Sequence, residues 1–366
     1  MLTAKKPVLL VGSGVRAAGA ASLVVDFAHK THIPVLTTMN AVDLAQDDLH
    51  IGFIGTYGNR AANMILTECD LVISVGARLG LRQIGHIRER FAPKAHLIRA
   101  DIDQSELSRN IKPDEIKHLI DAVDFMQQLL KEPFGNYSEW NACCMEVVKR
   151  LDGVDDTEGN IAVKAISELL PENPIVTVDV GQHQVWCAQS LHLRGHEGRI
   201  LVGGGYGSMG CALPYAIGSA VSCPGKPIYC ITGDGGLQMN IQELETIHRE
   251  NLPIKILVIN NHALGKISEI QQCSLHGRYS QTTADSGYTV PSFEKIANAY
   301  GVRSTTLQSS SELPNHSHWL TDNAPCLIDI PIPEDTLLIP KIKWETGLIN
   351  PILDMQMQEE ISKVLS

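Results

Sequence analysis

Apolar residues fall in short unbroken runs, each followed by glycine or polar residues and then by a stretch of helical periodicity. "PVLLVG" (7–12), "IPVLTT" (33–38), "DLVISVG" (70–76) and "AHLIRADID" (95–103) make a first series. "NPIVTVDVG" (173–181), "RILVGGG" (199–205), "PIYCITGDG" (227–235), "IKILVINN" (254–261) and "APCLIDIPI" (324–332) make a second. Runs without polar alternation predict strands buried on both faces, and their alternation with helices predicts parallel sheets. The expected fold class is α/β, with two doubly wound parallel-sheet domains. Their expected bounds are 1–135 and 161–340, with a linker over 136–160 and a mixed tail over 341–366. "KEPFGNYSEW" and "LDGVDDTEGN" bracket a polar helix in that linker.

Composition narrows the function. Hydrophobic residues make up 44% and charged residues 19% of the 366, the balance of a soluble globular protein. A net charge of −11 argues against a nucleic-acid surface. Nine cysteines without a CxxC pair suggest free thiols in a reducing cytosol rather than zinc or disulfides. No apolar run is long enough to span a bilayer, and the N-terminus does not read as a signal peptide, so the expected location is cytoplasmic.

Two glycine loops invite a dinucleotide reading. "VGSGVRAAG" (11–19) lies between strand and helix, but Ala17 stands where a third glycine would be, and no acid ends the next strand. A tight turn explains it, and a nucleotide at the helix N-terminus stays open. "GYGSMG" (205–210) satisfies GxGxxG literally. An NAD oxidoreductase is therefore one competing class.

The segment from Gly233 to Asn261 carries more. Asp234 ends one apolar strand, Asn261 ends the next, and a helix lies between, with Asn240 and Glu243 at capping-box spacing and Ile241, Leu244, Ile247 and His248 on one face. One strand–helix–strand crossover puts both strand ends at the same sheet edge, where α/β sheets take ligands. A carboxylate and an amide oxygen there are hard ligands suited to Mg²⁺, which keeps phosphate oxygens in its octahedron. Gly233 and Gly235 admit a large anion to the backbone. These residues predict a Mg²⁺-bridged diphosphate.

That GDG…NN pattern resembles the binding motif of thiamine-diphosphate (ThDP) enzymes. "VDVGQHQVWCAQ" (178–189), "GGGYGSMGCALPYAIG" (203–218) and "RYSQTT" (278–283) look like acetohydroxyacid (acetolactate) synthase and its relatives, and "GTYGNRAAN" (55–63) and "VGARLGLR" (75–82) resemble that family's central domain. The resemblance implies a central domain followed by a diphosphate-binding domain. It implies that Asp234, Asn261 and the carbonyl of Ala263 hold Mg²⁺. It implies that Gly181, Gln182 and His183 line the diphosphate, that Gly233, Gly235 and Gly236 add backbone approach and donors, and that Gly207 and Met209 belong to the loop that bends the cofactor. The implied reaction is decarboxylation or carboligation of a small 2-oxo acid, as in branched-chain amino acid biosynthesis. FAD is an optional third cofactor, since Gly12, Gly14, Arg78 and Arg82 match flavin positions, although Gly80 and Leu81 replace an acidic pair between the arginines.

Two departures shape the expectation. The family's first domain, whose glutamate activates the pyrimidine ring, has no counterpart here, so the catalytic acid is unknown. Either a homo-oligomer (dimer or tetramer) or a separate pyrimidine-domain chain is expected as partner, and the chain alone is expected to be inactive. A methionine and a tryptophan of the synthase pattern are replaced by Lys266 and Ile270. The lysine either faces an anionic acceptor or solvent. A related carboligase or decarboxylase with a different acceptor, and a non-catalytic ThDP-binding subunit, are the remaining alternatives.

Overall fold

A computed structural model of the chain describes residues 4–44, 48–195 and 197–366. Two compact units emerge: Met1–Asp155 with Ile339–Ser366, and Asp156–Leu338.

The first unit is built on strands β1 (Pro7–Val11), β2 (Val35–Thr37), β3 (His50–Phe53), β4 (Leu71–Val75), β5 (His96–Asp101) and β6 (Ile116–Leu119). They pair in parallel in the order β3-β2-β1-β4-β5-β6. β1 and β4 are buried along their whole length, which is why they read as continuous apolar runs. β3 and β6 escaped the sequence reading. They are four residues each, and β6 is an edge strand with no buried position.

The second unit has strands β7 (Ile175–Val178), β8 (Arg199–Val202), β9 (Ile228–Gly233), β10 (Ile254–Asn260), β11 (Arg303–Thr306) and β12 (Cys326–Pro331). All pair in parallel, in the order β11-β12-β10-β9-β7-β8. The chain runs from β7 outward to β8 and then back to β9 on β7's other side. The strand order therefore reverses between β7 and β9, and the crevice at such a reversal is where open α/β sheets bind ligands. A core of Ile228, Cys230, Ile256 and Val258 packs under helix Ala212–Ser222 and helix Glu243–Arg249.

The domain bounds differ from the sequence expectation in two places. The segment taken as a linker is helix Ser138–Arg150, whose Trp140, Cys144 and Val147 join the first unit's core. Trp140 Nε1 donates to the carbonyl of Pro7 at 3.1 Å, tying this helix to β1. The tail folds back onto the same unit. A two-stranded ribbon of β13 (Lys341–Ile342) and β14 (Ile349–Asn350) precedes helix Met355–Leu365, which buries Ile361 and Leu365 in that core. Arg150 pairs with Glu360 at 3.0 Å across the two helices. Only Ile361 and Leu365 are fully buried in this last helix, too few apolar contacts to announce a docked helix in a polar sequence.

All nine cysteines are free thiols. No helix among the described residues is long and apolar enough to cross a membrane.

If the C-terminal helix completes the first unit, Ile361→Ala costs about 2–4 kcal/mol, the price of a buried aliphatic truncation. Urea unfolding measures it. A loss below about 0.5 kcal/mol, the level of an ordinary surface change, would show the helix detached from the core.

Candidate functional site

Three strand ends meet at the reversal point. Beyond β7 come Asp179, Val180 and Gly181, then helix Gln182–Ser190. β9 runs directly into helix Asp234–Met239, so Asp234 occupies the first helical turn. β10 ends at Asn260, and the loop after it carries Asn261 and Ala263 before helix Gly265–Ser274. Gly233 pairs with Ile259 in the parallel ladder, which brings Asp234 level with the asparagine pair. Gly181, Gln182, His183, Gly207, Met209, Gly233, Asp234, Gly235, Gly236, Asn261 and Ala263 all line one cleft of about 720 Å³.

Asp234 is 3% exposed. Its Oδ1 accepts from the Gly235 amide at 2.8 Å, while its Oδ2 makes no hydrogen bond. Burial pushes the carboxyl up to about 7, against the opposing pull of the Gly235 amide and of the Tyr288 hydroxyl, which lies near the carboxyl but outside hydrogen-bond geometry. A buried carboxylate with one bare oxygen is costly unless a cation or a proton arrives. Asn261 is oriented by its neighbours: its Nδ2 donates to Gln182 Oε1 at 2.9 Å, and Gln182 Nε2 donates to the Thr336 carbonyl at 3.2 Å. That chain leaves Asn261 Oδ1 as the acceptor end, loosely held by the Ala263 amide at 3.3 Å. The donor set is two hard side-chain oxygens and a nearby carbonyl, which fits Mg²⁺ and not zinc. No cluster of three or more His, Cys, Asp or Glu suited to a metal occurs among the described residues.

His183 is buried beside this group. Its Nε2 has no hydrogen-bond partner, and burial pushes its pKa down to about 4 despite the nearby Asp179. The ring lies against two glycines: a Cβ on Gly181 would come within 2.5 Å of it, and one on Gly233 within 2.9 Å. Gly235 lies between Leu264 and Met209, where a Cβ would meet Leu264 at 2.7 Å and Met209 Cε at 3.2 Å. These glycines keep the cleft floor at backbone level.

One residue escaped the sequence reading. Asp179 is fully buried, and its carboxylate accepts from the amides of Val180, Gly210 and Cys211 and from the Thr232 hydroxyl. It anchors the Gly203–Gly210 loop to the ends of β7 and β9. A Cβ on Gly236 would fall 2.0 Å from its Oδ2. An acid closing a buried strand in "VDVG" was the available signal. Asp179 also answers the literal GxGxxG match. The amides of Gly210 and Cys211, before helix Ala212–Ser222, are taken by this internal carboxylate, so that loop does not cradle a dinucleotide.

The capping box expected at Asn240 is not formed. Helix Asp234–Met239 takes up the residues before it, the Asn240 side chain donates to the Gly210 carbonyl at 2.7 Å, and the next helix starts at Glu243. Of its expected apolar face, Leu244 and Ile247 are buried and His248 is exposed.

In the first unit, Gly12 and Gly14 serve a close backbone approach. A Cβ on Gly12 would lie 2.2 Å from the Gly76 carbonyl, and one on Gly14 would lie 2.8 Å from Gly76 Cα. Gly14, Gly76, Asp101 and Asp121 border a separate cleft of about 510 Å³. Arg78 does not line it and pairs with Glu106 at 2.9 Å, and Arg82 is exposed.

Known families match both units. The central domain of thiamine pyrophosphate enzymes matches residues 1–129, and their C-terminal TPP binding domain matches residues 179–330. The chain belongs to the thiamine pyrophosphate enzymes. Among similar relatives, the acetolactate synthase isozyme 2 large subunit of Escherichia coli (strain K12) is 33% identical over 90% of this chain and 60% of its own length. The acetolactate synthase large subunit of Lactococcus lactis is 31% identical over 92% of this chain and 59% of its own. The probable acetolactate synthase large subunit of Methanocaldococcus jannaschii is 33% identical over 95% and 61%. The chain thus spans about three-fifths of the length of these relatives. The cleft residues all fall within the segment matched by the TPP binding domain, and the bare Asp234 oxygen and the glycine floor fit a metal-held diphosphate.

The raised Asp234 pKa has a definite sign. Its folded pKa of about 7 lies above the ordinary value of 3.8, so the metal-free protein loses stability as pH rises from about 4 to about 7. Asp234→Asn removes that loss. Without Mg²⁺, the variant should melt well above wild type at pH 8 and level with it near pH 4. Thermal melts across pH check this, and a pH-independent difference would contradict it.

Proposed function

We propose that this chain binds thiamine diphosphate through Mg²⁺ and serves a 2-oxo acid decarboxylation or carboligation of acetolactate synthase type. The observation that carries the reading is the bare, buried Oδ2 of Asp234, set beside Asn261 in a glycine-floored cleft at the strand reversal. The names of the similar relatives support the acetolactate assignment.

Asp234, Asn261 and the Ala263 carbonyl would hold Mg²⁺. Gly181, Gln182 and His183, at the start of helix Gln182–Ser190, line the same cleft, and a helix N-terminus favours an anion. His183 Nε2 lies at that end as a second unsatisfied polar atom. Met209 and Leu264, on either side of Gly235, would wall the middle of the cofactor. ThDP, when bound, supplies a nucleophilic thiazolium carbon and an electron sink for loss of CO₂ from a 2-oxo acid. The apolar side chains of Leu264, Ile267 and Trp186 would keep water from the reacting carbon.

Asp234 is the single carboxylate among the cleft-lining residues, and it is committed to the metal. No lining acid is left to move a proton at the pyrimidine ring. We therefore place that group on a partner, either a second copy in a dimer or tetramer or a chain bearing a pyrimidine-binding domain. Tyr206, Met239, Ile267 and Ile270, exposed near or on the segments that border the cleft, offer apolar surface for such a partner. FAD is a secondary element. Asp101 and Asp121 beside the first unit's cleft suit the hydroxyls of an adenosine, but no arginine reaches that cleft to neutralise a diphosphate. Flavin absorbance on purification decides it.

Calorimetry tests the reading. ThDP should bind wild type only with Mg²⁺ present, and Asp234→Ala should abolish that dependence. Equal affinity in both proteins would sink the site. The 366 residues alone should form negligible acetolactate from pyruvate, since a positioned acid–base group is worth about 10²–10⁴-fold. Robust turnover would place the activating group within this chain.

A further inference from the structure

We infer that Asp329, which does not line the cleft, is a positioning residue for its metal, acting through Asn260 on the loop that carries Asn261 and Ala263. This inference rests on the ThDP reading above, in which Asn261 and the Ala263 carbonyl hold Mg²⁺.

The two asparagines at the end of β10 do different things. Ile259 and Asn261 line the cleft and Asn260 between them does not, as alternation along a strand requires. Asn260 is nevertheless buried, and β12 supplies its partner. Asp329 pairs with Val258 in the parallel ladder, so its side chain leaves the sheet on the same face as those of Val258 and Asn260. Asp329 is 5% exposed, and its carboxylate accepts from Asn260 Nδ2 at 3.1 Å and 3.4 Å.

A carboxylate oxygen accepts, so it turns the donating end of the amide toward itself. With Nδ2 held by Asp329, Asn260 Oδ1 is left for the main chain, and it accepts from the His262 amide at 3.1 Å. His262 stands between Asn261 and Ala263 at φ 54°, in the left-handed region that a non-glycine residue enters at a cost. Its side chain is exposed, so this residue is gripped through its backbone. The kink sets where the Asn261 side chain before it and the Ala263 carbonyl after it point. Main-chain bonds tie the loop only at its two ends: the Ile332 amide donates to the Asn260 carbonyl at 2.9 Å, and the Leu264 amide to the Thr282 carbonyl at 2.9 Å. The brace from Asp329 through Asn260 reaches the kink between the two positions that hold the metal.

Equilibrium dialysis of the full chain at a fixed ThDP concentration, with Mg²⁺ varied, reads the Mg²⁺ level at half-saturation. Asp329→Val should raise that level about 10–100-fold, the usual cost of losing a partner that orients a metal ligand. Asp329→Asn should stay at the wild-type level, because its amide oxygen still accepts from Asn260. The double variant Asn260→Val with Asp329→Val removes both buried polar partners, so its melting temperature should recover toward wild type while its Mg²⁺ requirement stays raised. A wild-type Mg²⁺ requirement in Asp329→Val or in the double variant would overturn the inference and leave the metal assignment standing. A shift in Asp329→Asn as large as in Asp329→Val would overturn it equally. If Asp329→Val does not fold, the double variant decides alone. Wild type that binds no ThDP at any Mg²⁺ level would overturn the metal assignment, and this inference with it.

Discussion

The second unit is arranged around a carboxylate that is buried with only half its hydrogen-bonding capacity used. Leaving an ionised group in that state costs several kcal/mol unless something compensates it. Asp234 keeps its position because it follows a fully buried strand without any turn in between. The parallel ladder then fixes Asn261 beside it, and Gln182 turns the asparagine so that its oxygen end accepts only from the Ala263 amide at 3.3 Å. The glycines follow from the same constraint. Any side chain at Gly181, Gly233 or Gly235 would strike His183, Leu264 or Met209 and raise the floor of the cleft.

Asp179 shows what a satisfied acid looks like in the same place. It is equally buried and also ends a strand, but the amides of Val180, Gly210 and Cys211 and the Thr232 hydroxyl surround it. It holds the glycine loop over the cleft and has nothing left to offer a ligand. The two acids lie at the ends of neighbouring strands, β7 and β9, yet one is saturated and the other keeps a bare oxygen. Their hydrogen-bond partners make that difference, and those partners come from segments distant in sequence.

That contrast also explains how far the sequence could be read. The buried central strands were legible because both faces are covered and the runs are unbroken. The proximity of Asp234 and Asn261 was legible because a single crossover fixes their separation along the chain. β3, β6 and β11 were missed because they are four residues each, and β6 and β11 lie at sheet edges with no buried position. The helices Ser138–Arg150 and Met355–Leu365 were set apart from the first unit because their apolar positions are few and their partners lie far along the chain. Asp179 was passed over because nothing local distinguishes an acid saturated by Gly210 and Cys211 from an ordinary strand-end acid. Asn240 was read as a cap because its spacing to Glu243 is right, and the tertiary bond to Gly210 overrode it.

The central claim is that Asp234 and Asn261 together hold the metal of a bound diphosphate. Diffraction from crystals grown with ThDP and Mn²⁺ in place of Mg²⁺ tests it most directly, because the anomalous signal locates the metal independently of the protein. The account predicts one strong peak in the second unit's cleft, about 2.0–2.3 Å from an Asp234 oxygen and from Asn261 Oδ1, with diphosphate oxygens completing the octahedron. A peak elsewhere, or ThDP bound with its diphosphate away from these two side chains, would contradict it.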